Sequence, residues 1–489
     1  MNNGSSIYSI LKKESDEEEW FNQMSALLSV LDYHKEEEDG FSPSKIISDS
    51  HLSPAFRSFK PFVKTISEYH TFPSLGNPAS NNVRFNITPK GFHYMKDACI
   101  HIVIENIGAV ETGDKVALFD FPGHKLIKSV TCRSKSTTYD TITTETYNNY
   151  YKWQVDESKR NSWKKCVGQE IPVEGYFVQN ASDEYREIKQ ITYGHQTQKN
   201  THDDLEMYIP LLFDFNTGGN PFEIDALTKT GEMLEFEVEL EPIANLINCL
   251  DTDLSTTCTA KTAKITKIEL TANCIYLQPE IMDMLRQESR LVLFRRHVDE
   301  RIKAIGNKGT INLGRTTGMV EHMFINPRPD SNVGSKTWFR NDVLTLRSVL
   351  AATVAPGPVV GSNFVNYYET TANPIDKMNI KNNVGIEFFQ MNNTSFYDAY
   401  IPMTKKHVKS PLIDKNSYLV PFNHNTLDFQ PDGYFNRDWI ANGTAADKLS
   451  IEYESSYITS SDTVTFNVSS TILDFIYYQD NAKPTVWFA

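Results

Sequence analysis

Long apolar runs are missing from this 489-residue chain. A helix that crosses a bilayer needs about 20 consecutive apolar residues, and no stretch supplies them. Cationic clusters are missing as well. The chain carries 62 acidic against 48 basic residues, a formal net charge of -14. No segment concentrates the lysine and arginine that displace counterions from a phosphate backbone, so direct nucleic-acid binding is not expected. The first residues lack the positive start and apolar core of a secretory signal; Glu14, Asp16, Glu17, Glu18 and Glu19 stand there instead, which predicts synthesis in a cytosol-like compartment. Cysteine is sparse. Cys99, Cys132, Cys166, Cys249, Cys258 and Cys274 show no CxxC spacing, so neither a disulfide framework nor a zinc site is indicated, and all six are expected to be reduced.

Catalytic signatures are equally scarce. No GxSxG, HExxH or P-loop pattern occurs. Gly218-Gly219 is too short to cradle a phosphate, and Gly306-Asn307-Lys308-Gly309-Thr310 lacks the adjacent Gly-Lys pair. His195 with His202, Asp203 and Asp204 comes nearest to a ligand cluster, yet it lies in a polar loop with no helix or strand spacing to aim ligands at one ion. Asp203 and Asp204 read as solvated loop acids. N-x-S/T sequons at Asn3, Asn86, Asn180, Asn392, Asn393, Asn442 and Asn467 read as chance matches in an Asn- and Thr-rich chain. No catalytic, cofactor-binding or metal residue is therefore nominated, no cofactor is expected, and the protein is not expected to be an enzyme.

What the chain does have is alternation. Residues 1–60 form an acidic arm with one amphipathic helical stretch, where Trp20, Met24, Leu27, Leu28 and Leu31 recur at helical spacing. Ser15 and Glu18 fit a capping box at its start. Beyond residue 61 the pattern turns to short alternating runs broken by Gly, Pro, Asn and Asp. In residues 234–241, Leu234, Phe236, Val238 and Leu240 alternate with four glutamates, so one face meets a core and the other water. The same holds for Val83, Phe85 and Ile87, for Ile100, Ile102 and Ile104, for Ile265, Ile268 and Leu270 with one register break, and for Leu473, Phe475 and Tyr477. Helical signals are confined to 146–153 and 279–286. Many short strands with few helices predict an all-β protein of sandwiches, divided by a Thr- and Lys-rich linker at 251–264 into bodies at 61–250 and 265–489. No short repeat is evident.

The order of landmarks resembles that of the major capsid proteins of nucleo-cytoplasmic large DNA viruses, most closely the iridovirus-like members. Gly76-Asn77-Pro78 precedes the strand at 83–87 and the strand ending at Ile104. Leu126-Ile127-Lys128-Ser129-Val130 leads through Tyr147 and Trp153 to Trp163 and Val167-Gly168. The most specific match is Ile209-Pro210-Leu211-Leu212-Phe213-Asp214-Phe215, then Ala226-Leu227, then the strand at 234–240. In the second half, Ile275-Tyr276-Leu277 leads to Leu291-Val292-Leu293-Phe294, and residues 422–429 precede Gln430-Pro431-Asp432-Gly433-Tyr434. The family has proline where Leu212 stands and a serine-type residue at Asp432, and the acidic arm has no counterpart in it.

The resemblance implies two consecutive eight-stranded antiparallel jelly rolls, a double jelly roll. It further implies a homotrimer whose pseudo-hexagonal capsomers tile an icosahedral virion shell assembled in the host cytoplasm. Minor capsid and penton proteins, and an inner membrane layer, are the partners it suggests. Residues 179–204, 327–341 and 354–366 are candidate outward towers. The alternatives are a double jelly-roll assembly scaffold of immature virions and a lectin-like carbohydrate-binding sandwich.

Overall fold

The computed structural model describes residues 65–487 apart from 77–80, 88–90, 136, 172–175, 180–184, 189–195, 197–198, 219, 251–257, 279–281, 283–289, 317, 334–337, 351–363, 383–384, 406–407, 409–415, 424–433, 437–447 and 479–483. The chain divides into two compact units, one of residues 65–277 with 288–489, the other of 1–64 with 278–287. Only Gln278 and Met282 of the latter are among the described residues. The arm at 1–60 with its helix, and the helix expected over 279–286 apart from Met282, lie outside them.

Within the larger unit the strands fall into two halves, each built on a sandwich. The first contains β1 (Thr65–Pro73), β2 (Asn82–Ile87), β3 (Tyr94–Glu105), β4 (Lys115–Leu118), β5 (Ile127–Arg133), β6 (Thr138–Thr143), β7 (Tyr176–Gln179), β8 (Tyr185–Ile188), β9 (Leu205–Pro210), β10 (Phe222–Glu223), β11 (Leu234–Leu240), β12 (Ile247–Leu250) and β13 (Lys264–Leu277). The second contains β14 (Arg290–Lys303), β15 (Lys308–Asn312), β16 (Gly318–Pro329), β17 (Val343–Leu350), β18 (Phe364–Ala372), β19 (Lys377–Asn382), β20 (Glu387–Asn393), β21 (Tyr418–Pro421), β22 (Tyr434–Asn436), β23 (Leu449–Glu454), β24 (Val464–Tyr478) and β25 (Thr485–Trp487). Outside the sandwiches, β4 with β12, β7 with β8 and β17 with β18 form separate two-stranded ribbons. Three helices concern the site: α1 (Pro122–Leu126), α2 (Thr144–Trp153) and α3 (Glu157–Cys166).

The two sandwiches repeat one wiring. In the first, one sheet runs β1-β13-β3, with β9 and β10 along the far side of β3, and the other runs β2-β11-β5-β6. In the second, the sheets run β14-β24-β16-β21 and β15-β23-β19-β20. Numbered in order of appearance, the framework strands of both bodies therefore pair as 1-8-3-6 and 2-7-4-5, a jelly-roll-like sandwich. The antiparallel all-β expectation holds.

β11 shows why the alternation is decisive. Its pleat sends Leu234, Phe236 and Val238 inward, opposite Ile87, Phe85 and Val83 of β2. Val130 and Cys132 of β5 flank them on the other side. All of these are buried in one core with Ile100, Ile102 and Ile104 of β3. Each such side chain contributes about 1.5–3 kcal/mol by leaving water. The glutamates point out: Glu237 pairs with Arg84 at 3.1 Å, Glu235 with Arg133 at 3.0 Å, and Glu239 with Lys128. Exposed pairs of this kind contribute about 0–1 kcal/mol each, so they set register and solubility more than stability.

Three expectations change. The strand Lys264–Leu277, assigned from sequence to the second body, hydrogen-bonds to β3 and β1, so it closes the first sandwich and the break in the chain follows Leu277. Burial around a shared core decides this, and a Thr- and Lys-rich loop is no barrier to it. The alternation of Leu473, Phe475 and Tyr477 predicts one inward face, but β24 is covered on both faces: Ile472, Leu473, Asp474 and Ile476 are all buried. Finally, Cys249 and Cys258 form a disulfide, leaving Cys99, Cys132, Cys166 and Cys274 free. The pairing of β12 with β4 and the bridge from Ala260 to Ala109 bring the two Cα atoms to 5.4 Å, well inside disulfide reach. The helix expected over 146–153 is present as α2. Of the tower candidates, 327–329 belongs to β16 instead.

Candidate functional site

The most heavily built polar region is the seam where the two sandwiches meet. α2 is its main strut. Thr143 caps the helix through a capping box, its side chain accepting from the Glu145 amide while Thr146 Oγ accepts from the Thr143 amide. That start aims Glu145 out of the first turn into the second sandwich. There Arg328 of β16 donates to both carboxylate oxygens at 2.7 and 2.9 Å. Both partners are buried. Burial alone would raise the Glu145 carboxyl; the Arg328 guanidinium outweighs it and holds the group down at about 2.

One and two turns later the same helix continues the contact. Asn149 accepts from Asn326 Nδ2 at 2.8 Å, and Lys152 donates to the Phe339 carbonyl at 3.1 Å. Trp153 leaves its own sandwich altogether. It is fully buried in the core of the second, stacked on Phe324 with ring centroids 5.7 Å apart, and its Nε1 donates to Ser417 Oγ at 3.1 Å. The exchange is reciprocal. Phe294, Trp338, Ile476 and Tyr478 of the second half pack into the core of the first, with Trp338 Nε1 donating to the Asp120 carbonyl at 2.8 Å.

The outer edge of β14 completes the seam. Asp140 of β6 accepts from both the His297 amide, at 2.8 Å, and the His297 ring, at 2.9 Å. Asp299 accepts from Thr146 at 3.1 Å and from Thr143. Arg295 reaches Glu321 at 2.8 Å and Asp214 at 3.9 Å. The edge of β14 is thus satisfied by side chains of the first sandwich. β1 occupies the equivalent edge of the first sandwich and is bare: it pairs with β13 alone among the described residues, and Ile66 and Tyr69 are 63% and 68% exposed.

A cavity of about 30 Å³ sits in the seam between Asp140, Asp214, Arg295, Phe222 and Phe294. It has room for a water or two, far below the several hundred Å³ of a small-molecule site. Among the described residues no group of three or more His, Cys, Asp or Glu could hold a metal ion, and no helix is long and apolar enough to cross a membrane. His202 is buried with its ring on the Val116 carbonyl at 2.7 Å, while Asp203 and Asp204 are exposed; His195 lies outside the described residues. Gly306-Asn307-Lys308-Gly309-Thr310 is the turn into β15 and its first residues, with Gly306 at φ 78°. Asn467 is buried in β24. The seam residues carry no sequence motif, and only the helical signal over 146–153 fell on them; the cap at Thr143 emerged from the structure.

Burial also sets how the seam answers to acid. His124, bonded to Trp163 Nε1 at 2.9 Å and to Asn148 at 3.2 Å, is pushed by burial to about 3, and burial pushes His322 to about 4. With Glu145 at about 2, all three titrate below their unfolded values of 6.5, 6.5 and 4.5. Their stabilisation is present above those unfolded values and is lost as pH falls through the folded ones. Asp214, His297 and Asp299 run the other way: burial raises Asp214 from 3.8 to about 6 against Arg295 and raises Asp299, while His297, lowered by its burial, is raised on balance by Asp140, so their contributions grow as pH falls. The expected balance follows His124 and His322, which lie far below their unfolded value. Calorimetry from pH 7.5 to 4 should show the unfolding midpoint falling progressively below pH 6.5; a midpoint that holds or rises down to pH 4 refutes the buried neutral histidines.

No family model matches the sequence, and no curated protein matches it. Solved structures match the fold. The Faustovirus major capsid protein superposes with a TM-score of 0.66 at 18% identity, covering 94% of this chain and 98% of that one. The quasi-atomic model of the PBCV-1 virus capsid gives a TM-score of 0.61 at 14% identity, over 88% of this chain and 98% of that one. PBCV-1 VP54, fitted into a reconstruction of the virophage Sputnik, gives 0.60 at the same identity and coverage. The chain therefore shares its fold with viral capsid proteins across nearly its whole described length.

Proposed function

We propose that this chain is a structural, non-enzymatic shell protein: a double jelly-roll major capsid protein of a large DNA virus. Its first jelly roll spans 65–277 and its second 290–487. Three copies form a pseudo-hexagonal capsomer that tiles an icosahedral virion shell, assembled in the host cytoplasm. Minor capsid and penton proteins are its expected neighbours.

The observation that carries this reading is an unfilled equivalence. β6 and α2 of the first sandwich cover the edge of β14. Their counterparts in the second are β20 and the helical turns Phe396–Tyr400 and Ile401–Thr404, which follow β20 as α2 follows β6. Among the described residues nothing covers their outer side, where Tyr400 is 54% and Met403 75% exposed. The bare face of the second sandwich and the bare β1 edge of the first are the two halves of the contact already made inside the chain. Repeating that contact between copies joins sandwiches head to tail, and closure after three chains makes a ring of six similar bodies.

The test is the absolute mass of the native protein by light scattering. A value near three times 55.8 kDa, with Met403→Glu and Tyr69→Arg each shifting it to a monomer that still unfolds cooperatively, at a lower temperature because the trimer contact is lost, is the expected result. A wild type that stays monomeric at every concentration sinks the trimer.

A further inference from the structure

At the end of the first sandwich where β3 stops and β9 and β13 begin, three connections are woven together. β4, in the connection that follows β3, pairs along its length with β12, which comes from the connection preceding β13. Lys199, from the connection preceding β9, bridges to Val116 of β4. Thr201 and Ala260 bridge to Gly108 and Ala109, and the Lys261 amide donates to the Gly108 carbonyl at 2.7 Å. The weave is tight at Gly108, where a Cβ would lie 2.9 Å from the Asn200 carbonyl oxygen. Cys249 and Cys258 lie on the two arms of the connection preceding β13, nine residues apart, and Cys258 also touches the Lys115 carbonyl. In the second sandwich the corresponding connection, 455–463, is short and closes on its own hydrogen bonds around Ser455 and Asp462.

We propose that Cys249 and Cys258 are a redox clip, open as two thiols where the chain is made and closed by a small oxidised disulfide, such as oxidised glutathione, once the protein leaves a reducing compartment. One cysteine thiolate attacks a sulfur of the small disulfide and releases one thiolate. The second cysteine then attacks the mixed disulfide, forming the Cys249–Cys258 bond and releasing the other. The two cysteines lose two electrons and two protons, and the small disulfide becomes two thiols. Both cysteines are partly accessible, whereas Cys132 and Cys274 are buried in the core. Burial also raises the thiols of Cys99, to about 11, and of Cys166, which keeps them from competing as thiolates. The clip ties β12 to the stretch that bridges to Ala109 and lies outside the sandwich framework.

Thiol counting on the whole chain tests this. Protein equilibrated with excess oxidised glutathione, then unfolded and alkylated, should show four reactive thiols, and six after reduction. Hydrogen exchange should speed up on reduction by roughly ten- to a hundred-fold in peptides covering 108–118 and 247–261 only. The double variant C249S/C258S should exchange like the reduced protein and ignore the oxidant. Six thiols after oxidation, a pairing that involves any other cysteine, or faster exchange spread over β2, β5 and β11 would each overturn the proposal. None of these readouts depends on whether the protein trimerises.

Discussion

Arg328→Met is expected to cost about 3–5 kcal/mol of stability, the range found when one partner of a buried ion pair is removed. The side chain is replaced by one of similar length, so packing changes little; what changes is that the Glu145 carboxylate loses both guanidinium bonds and keeps only a 3.5 Å bond from Asn148, in a place water does not reach. Glu145 must then either ionise at a large desolvation cost or take up a proton, so the variant should also be more sensitive to high pH than the parent. The double variant E145Q/R328M removes the charge as well and should recover more than half of the loss, since a neutral buried pair is often as stable as an ionic one. The measurement is a denaturant or thermal unfolding series on the three variants. If Arg328→Met unfolds within a degree of the wild type, the seam is not a dry, charged contact and this account of it fails.

Trp153→Ala should be comparably severe, about 3–5 kcal/mol, because it removes the largest fully buried side chain among the described residues and leaves a cavity in a core that its own sandwich does not supply. Its distinctive effect is on cooperativity. Trp153 and the reciprocal quartet Phe294, Trp338, Ile476 and Tyr478 make each core depend on the other half of the chain. Withdrawing Trp153 should split a single calorimetric transition into two, with the second sandwich, whose core it fills, melting first. Trp153→Phe keeps an aromatic ring against Phe324, loses the bond to Ser417, about 1 kcal/mol, leaves a smaller cavity than alanine does, and should melt as one transition. A single sharp transition in Trp153→Ala would show that the sandwiches are coupled elsewhere.

Much of the fold is written locally. Leu234, Phe236, Val238 and Leu240 alternate with glutamates because the strand has a core on one side and water on the other, and any strand in that setting is legible from its period. The same reasoning fails for β24. Its 15 residues span both the second core, through Phe466 and Val468, and the first, through Ile476 and Tyr478, and with both faces covered the period of two disappears. β13 was legible as a strand but not as a member of the first sheet, since antiparallel pairing depends on which edge is free and not on distance along the chain. The disulfide was invisible for a related reason: nine residues of separation carry no pairing signal until β12 and Ala260 are fixed against neighbouring strands.

The seam lies furthest from what a sequence can disclose. Glu145 and Arg328 are 183 positions apart, and Trp153 and Ser417 are 264 apart; each looks like an ordinary charged, aromatic or polar residue in its own neighbourhood. By itself the sequence determined that the chain would be an all-β protein of alternating strands, with α2 among its few helices, because strand and helix periods and caps act within a few residues of each other. Only the tertiary structure decided which strands share a sheet, which core Trp153 enters, which edge is covered and which is bare, because those depend on the closing of two sandwiches against one another, where buried charges must find partners wherever the folded chain places them.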